Sequence, residues 1–154
     1  MSNRNRISGF VFALTLVGTV SFAARAPADP PPTSKVVANV GKLRNAKGSV
    51  GCRLYRSGAG FPESAEGTTE KRTSISGEVV TLSFESLTPG TYAVSCMHDE
   101  NDNGKLDKNF LGVPTEGYGV SNNHTYAMSA PKWDESKFVV EAGKDVGLGI
   151  GLRY

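Results

Sequence analysis

Beyond its opening residues the chain lacks an excess of charge, a long apolar run and any helical periodicity. Of 17 Lys and Arg, Arg4 and Arg6 precede position 23, which leaves 15 basic residues against 15 acidic ones. A balance near zero offers no patch to neutralise phosphates, and nucleic acid is excluded as a partner. The one extended apolar stretch, Ile7 to Val20, is broken by Thr15, Gly18 and Thr19 and falls short of the roughly 18 to 20 residues that cross a bilayer as a helix. Basic Arg4 and Arg6 before it, and Ser21, Ala23, Ala24, Ala26 and Ala28 after it, follow the order of a secretory signal, expected over residues 1–23. The mature chain is then exported, to the periplasm or beyond, with no transmembrane segment. Residues 24–34, including Pro27 and Pro30-Pro31-Pro32, read as an extended spacer. Residues 35–154, in a chain that is 38% hydrophobic, are enough for one core and one domain.

What is present from Lys35 onward is a period of two. Val36, Ala38 and Val40 alternate with Val37 and Asn39, as do Val50, Cys52 and Leu54 with Gly51, Arg53 and Tyr55, and Val80, Leu82 and Phe84 with Thr81 and Ser83. Each segment reads as a strand with one buried face. Arg44 to Gly48 carries the turn residues of a hairpin between the first two, and Thr88-Pro89-Gly90 turns the chain into a strand with Tyr92, Val94 and Cys96. At the end, Val146, Leu148, Ile150, Leu152 and Tyr154 alternate with Gly147, Gly149, Gly151 and Arg153. A bare glycine face calls for a cover: an aromatic side chain is expected, with Trp133 a candidate, and a ligand lying flat is the alternative. The pattern predicts an all-β fold: a single antiparallel β-sandwich of about seven strands, with one long Asp/Asn/Gly-rich loop.

That loop carries the chemistry. Asp99-Glu100-Asn101-Asp102-Asn103-Gly104-Lys105-Leu106-Asp107 places oxygen donors at alternate positions around a glycine, the way an EF-hand loop supplies its positions 1, 3, 5, 7 and 9 with glycine at 6. Asp99, Asn101, Asn103, the Lys105 carbonyl and Asp107 are the predicted Ca²⁺ ligands. The match ends at position 12, where a bidentate Glu would stand and Phe110 does, and the preceding Thr91 to His98 alternates like a strand. Glu116, Asn122-Asn123 or water would complete the shell. The competing reading is a solvated turn in which Asp and Asn satisfy their own backbone. The connection from Asp99 to His124 is long enough to be functional or disordered; Phe110, Leu111, Val113, Tyr118 and Val120 are expected to anchor it. Glu116, Tyr118, Asn122 and Asn123 are candidate residues for contacting a partner.

Cys52 and Cys96 both sit at inward positions of their strands, and in an exported protein such a pair favours a disulfide over two buried thiols. His98 and His124, at the two ends of the loop, could meet with Asp99 around a transition metal, although a strand-end histidine is more often simply hydrogen-bonded. Ser121 lies near His124 in sequence, yet no nucleophile elbow or triad can be recognised. Glu100 and Glu116 are a carboxylate pair of the kind any acidic loop offers.

The segment HDENDNGKLDKNFLGVPTEGYGVSNN, with LTPGTYAVSC before it and FVV and GLGIGLRY after it, resembles a bacterial exported family catalogued as domain of unknown function 2141. The resemblance covers residues 35–154. It implies a prealbumin-like or immunoglobulin-like sandwich and export, and it supplies no activity. The Pro89 to Tyr92 turn is also similar to transthyretin-like and surface-adhesin modules. A hydroxyisourate hydrolase of the prealbumin fold is excluded, since its C-terminal Tyr-Arg-Gly-Ser is replaced by Gly151-Leu152-Arg153-Tyr154. Two functions stay open. One is a Ca²⁺-stabilised binding or structural module of the cell envelope, with an envelope protein or glycan as partner. The other is a periplasmic small-ligand carrier or enzyme whose site lies between the long loop and the glycine-striped strand.

Overall fold

A computed structural model describes residues 32–124 and 129–154. The expected signal and most of the spacer lie outside the described residues, and no helix among them is long and apolar enough to cross a membrane. Eight strands form among the described residues: β1 (Ser34–Gly41), β2 (Ser49–Tyr55), β3 (Thr69–Ser74), β4 (Val80–Leu87), β5 (Gly90–Asp99), β6 (Gly117–Val120), β7 (Phe138–Val140) and β8 (Val146–Gly151). Two short helical turns accompany them among the described residues, a 3-10 turn at Ser121–Asn123 and α1 at Trp133–Ser136. Strands β4, β1 and β8 make one sheet; β3, β2, β5 and β6 make the other, with β7 paired to the start of β5. The all-β sandwich is as the alternation predicts.

The core lies between the sheets. Val36, Ala38 and Val40 of β1 and Val80, Leu82 and Phe84 of β4 supply one wall; Val50, Cys52 and Leu54 of β2 and Tyr92, Val94 and Cys96 of β5 supply the other. Phe84 is 1% exposed, and truncating such a ring to alanine costs about 3–5 kcal/mol. Cys52 and Cys96 stand directly opposite in the β2–β5 ladder and are joined by a disulfide. The two sheets are also stitched at their edges, because the Tyr118 and Arg153 backbones exchange two 2.9 Å hydrogen bonds.

The topology departs from the expected one in several places. The β1–β8 pair is parallel, from Val36 opposite Val146 to Gly41 opposite Gly151, so the sandwich is not purely antiparallel. Residues 42–48 do not close a β1–β2 hairpin: β1 spends its two edges on β4 and β8, and β2 joins the opposite sheet. β3, Thr69–Ser74, is exposed throughout and therefore has no alternation to announce it. Ser34 already belongs to β1. Trp133 does not cover the glycine stripe. It packs on Gly58 and meets the Phe61 ring edge-on at 6.0 Å, while no described atom comes within 4 Å of where a side chain would leave Gly147 or Gly149.

With 44 positions separating the bridged cysteines, the chain-entropy model assigns the disulfide about 4 kcal/mol. Labelling the denatured, unreduced protein with a thiol reagent is expected to find no reactive cysteine, and a Cys52→Ala/Cys96→Ala double variant to lose most of that stability in urea titration.

Candidate functional site

The long loop begins where β5 leaves the sheet. Asp99 is the last residue of that strand and has no exposed surface. The conformation depends on two glycines of the neighbouring segment. Gly48 has φ +67°, and a Cβ there would stand 1.9 Å from the Asp99 carbonyl oxygen. Gly51 leaves the outer face of β2 bare, so the Arg72 side chain crosses it, 3.2 Å from where a Cβ would be. Arg72 thereby reaches Asp99. Its Nη1 donates to Asp99 Oδ2 at 2.6 Å and to Ser49 Oγ at 3.0 Å.

The same carboxylate organises the loop. Asp99 Oδ1 accepts from the Asn103 amide at 3.0 Å and Oδ2 from the Gly104 amide at 2.7 Å. Burial pushes the Asp99 carboxyl up, but the bonds from Gly104, Arg72 and Asn103 outweigh it and hold the group below the usual carboxylate range. Asn101 Nδ2 and Asn103 Nδ2 both donate to Asp107, at 2.8 and 2.9 Å. Asn103 Oδ1 accepts from the Lys105 amide at 2.8 Å. Asp102, with φ 56°, turns aside to accept from Ser49 Oγ at 2.6 Å. Asp99, Asn101, Asn103 and Asp107 are therefore brought together, and their oxygens are already engaged by protein donors.

Glu116, one of the three groups offered to complete the shell, is engaged by backbone amides. It is 5% exposed, and its two oxygens accept from the Glu100 amide at 2.7 Å and the Asp107 amide at 3.0 Å. One buried carboxylate thus ties the two ends of the acidic stretch to β6. Glu100 faces outward instead, accepting from Arg44 Nε at 2.6 Å and Asn45 Nδ2 at 3.0 Å. Arg44 stacks 4.4 Å from the Tyr154 ring centre. Burial raises the Glu100 carboxyl, and the bonds from Arg44 and Asn45 bring it below its ordinary value.

Beyond Asp107 the chain forms a small hairpin. Thr115 donates to Asp107 O at 2.8 Å, Asn109 N to Val113 O at 2.8 Å, and the Asn109 side chain accepts from the Leu111 and Val113 amides at 2.9 and 3.1 Å. Phe110, Leu111 and Val113 are not the anchors expected of them, being 95%, 72% and 54% exposed. A cleft of about 600 Å³ opens between this hairpin and the β5–β6 part of the sheet, and not beside the glycine-striped β8.

Of the candidate partner residues, Tyr118 lines that cleft. Asn122 donates to the Glu135 and Lys137 carbonyls at 3.0 and 3.1 Å. Asn123 occupies the free edge of β8, donating to Gly149 O at 2.6 Å and accepting from Gly151 N at 2.8 Å, as a neighbouring strand would. His98 is buried, with Nδ1 2.7 Å from Tyr154 Oη and Nε2 2.7 Å from the Lys47 carbonyl. His124 Nδ1 lies 3.9 Å from Glu135. The two histidines thus face different partners, and no group of three or more His, Cys, Asp or Glu able to hold a metal gathers among the described residues. Sequence reasoning missed Arg72, whose strand is exposed and unpatterned; the one signal was Gly51 opposite it.

The class this defines is a two-sheet sandwich carrying a carboxylate-braced loop on one sheet. The chain belongs to the bacterial family described as uncharacterized protein conserved in bacteria, domain of unknown function 2141, which matches residues 38–146. No curated protein and no solved structure matches it significantly.

Two variants test the bracing. Because the folded Asp99 carboxyl titrates below its unfolded value, its stabilisation is present above the unfolded pKa of about 3.9 and is lost as pH falls through the folded value. Arg72→Met is expected to cost about 1–3 kcal/mol at pH 7 and to shrink the loss on acidification, read by urea unfolding across that range. Glu116→Gln gives one of the two backbone amides a neutral acceptor and sets an NH2 donor against the other. Hydrogen exchange at Glu100 and Asp107 should speed by about tenfold or more while the β2–β5 amides keep their protection.

Proposed function

We propose that the chain is an exported cell-envelope module that binds Ca²⁺ in the 99–107 loop and acts as a binding or structural unit. The observation that carries this reading is the convergence of Asp99, Asn101, Asn103 and Asp107 around the turn at Gly104, whose φ of 80° suits the glycine step of a calcium loop. Two carboxylates, two amide oxygens and the Lys105 carbonyl are a hard-oxygen set of the kind Ca²⁺ prefers to the rigid octahedron of Mg²⁺. To reach the ion, the Asn101 and Asn103 amides turn their oxygens inward. Arg72 opposes the cation, because its guanidinium already holds Asp99 Oδ2 at 2.6 Å. Export is supported by the basic-apolar-small order of residues 1–23 and is compatible with the Cys52–Cys96 disulfide. The partner that follows is an envelope protein or glycan meeting the braced loop.

Calorimetry at millimolar Ca²⁺ should register binding that Asp107→Ala removes and Asp102→Ala largely keeps. At free Ca²⁺ about 100-fold above Kd the fold gains roughly 2.7 kcal/mol, and EDTA removes it. Arg72→Met, which takes away the competing cation, should tighten Ca²⁺ by about an order of magnitude. A melting curve indifferent to both Ca²⁺ and EDTA leaves the loop as a self-satisfied turn and overturns the calcium reading.

A further inference from the structure

The cleft beneath the 107–115 hairpin is built from four separate stretches of chain. Pro62 and Glu63 form one side, Leu111, Val113 and Pro114 of the hairpin the other, Ala130 and Pro131 the far end, and the β5–β6 ladder at Ser95 and Gly119 the floor. Its volume, about 600 Å³, falls within the range of small-molecule sites. Concavity on this scale suits a small molecule better than a protein face, which presents a flatter patch.

Three observations define the chemistry of an occupant. First, the walls are largely apolar and, among the described residues, unfilled: Leu111 and Val113 keep 72% and 54% of their surface exposed although Asn109 holds their backbone in place. The cavity is therefore preformed. Second, the charges at the rim cancel. Lys108 Nζ lies 2.6 Å from Glu63 Oε1 and joins the two walls across the opening. Third, the floor holds a weakly engaged hydroxyl: among the described residues Ser95 Oγ makes only 3.4 Å contacts, to Tyr55 Oη and Pro62 O. It is free to strengthen a bond to something above it.

We propose that this cleft binds one neutral, largely apolar small molecule with a single hydrogen-bonding group, the apolar body between Leu111, Val113 and Pro62 and the polar group at Ser95. A strongly charged ligand would have to break the Lys108–Glu63 pair. The site does not depend on the calcium reading, since Glu116 and Asn109 hold its walls.

The probe is N-phenyl-1-naphthylamine, a neutral aromatic amine whose fluorescence rises in apolar surroundings, titrated in EDTA against the full chain. Saturable binding of one molecule per chain is expected, with amide shifts at Ser95, Gly112 and Gly119. Val113→Trp fills the cleft and should weaken binding by about tenfold or more, whereas Phe110→Ser, at the outward tip, should change it by less than about twofold. Should Val113→Trp fail to melt cooperatively, Leu111→Asp puts a charge in the same wall and should weaken binding equally. Binding that is unsaturable, that survives both wall variants, or that falls with Phe110→Ser instead overturns the proposal; the last outcome would mark the tip as a docking surface for a membrane or a protein.

Discussion

An ionised carboxylate without exposed surface persists only when its oxygens are filled, and Asp99 meets that condition at the point where the second sheet gives way to its long loop. Arg72 comes from β3, across the bare face of Gly51, and the Asn103 and Gly104 amides come from the loop itself. One side chain therefore joins an edge strand, a central strand and a turn. The arrangement accounts for β3 as well: a strand with no buried face holds its place on the sheet through Arg72 and through Glu70, which pairs with Arg53 of β2 at 2.8 Å. The glycines at 48 and 51 are the local cost of bringing these groups together.

Glu116 repeats the device on the far side of the loop, accepting from the amide of Glu100, sixteen positions before it. Because it accepts from Glu100 and Asp107 at once, the acidic stretch is closed at both ends by protein carboxylates before any ion is considered. Such closure changes what a cation could contribute. It would not order a loose segment but compete with existing hydrogen bonds, and its affinity would be set by the difference between the two. The same closure lets the Asn109-capped hairpin stand away from the sheet and carry Phe110, Leu111 and Val113 into solvent without collapsing onto the core.

The C-terminal residues hold the other end of this region. Tyr154 accepts from the Arg44 amide at 3.0 Å, lies beside His98 and is stacked by Arg44, which also grips Glu100 and, at 3.0 Å, the Thr115 carbonyl. Burial, followed by the nearby Glu100 charge, raises the Tyr154 hydroxyl above its ordinary pKa, which keeps the phenol neutral 2.7 Å from His98 Nδ1. The crossover 42–48, the start of the loop and the end of the chain thus form one polar layer against the apolar core.

Alternation alone determined much of this protein. Strands β1, β2, β4, β5 and β8, the inward pair Cys52 and Cys96, and the all-β class follow from a period of two, because a strand half-buried against a second sheet must alternate. The Asp/Asn/Gly-rich turn at 99–107 was equally legible, since glycine and Asx spacing is a local property of the chain. Tertiary structure decided what those residues face. Whether residues 42–48 join neighbouring strands or cross between sheets, whether β8 lies parallel to β1, and whether Trp133 covers Gly147 and Gly149 or Gly58 are questions of long-range pairing that no local pattern encodes. Arg72 meeting Asp99, and Glu116 turning to two backbone amides, belong to the same kind. A buried carboxylate takes whichever donors the fold delivers, and those donors come from positions 27 and 16 residues away in the chain.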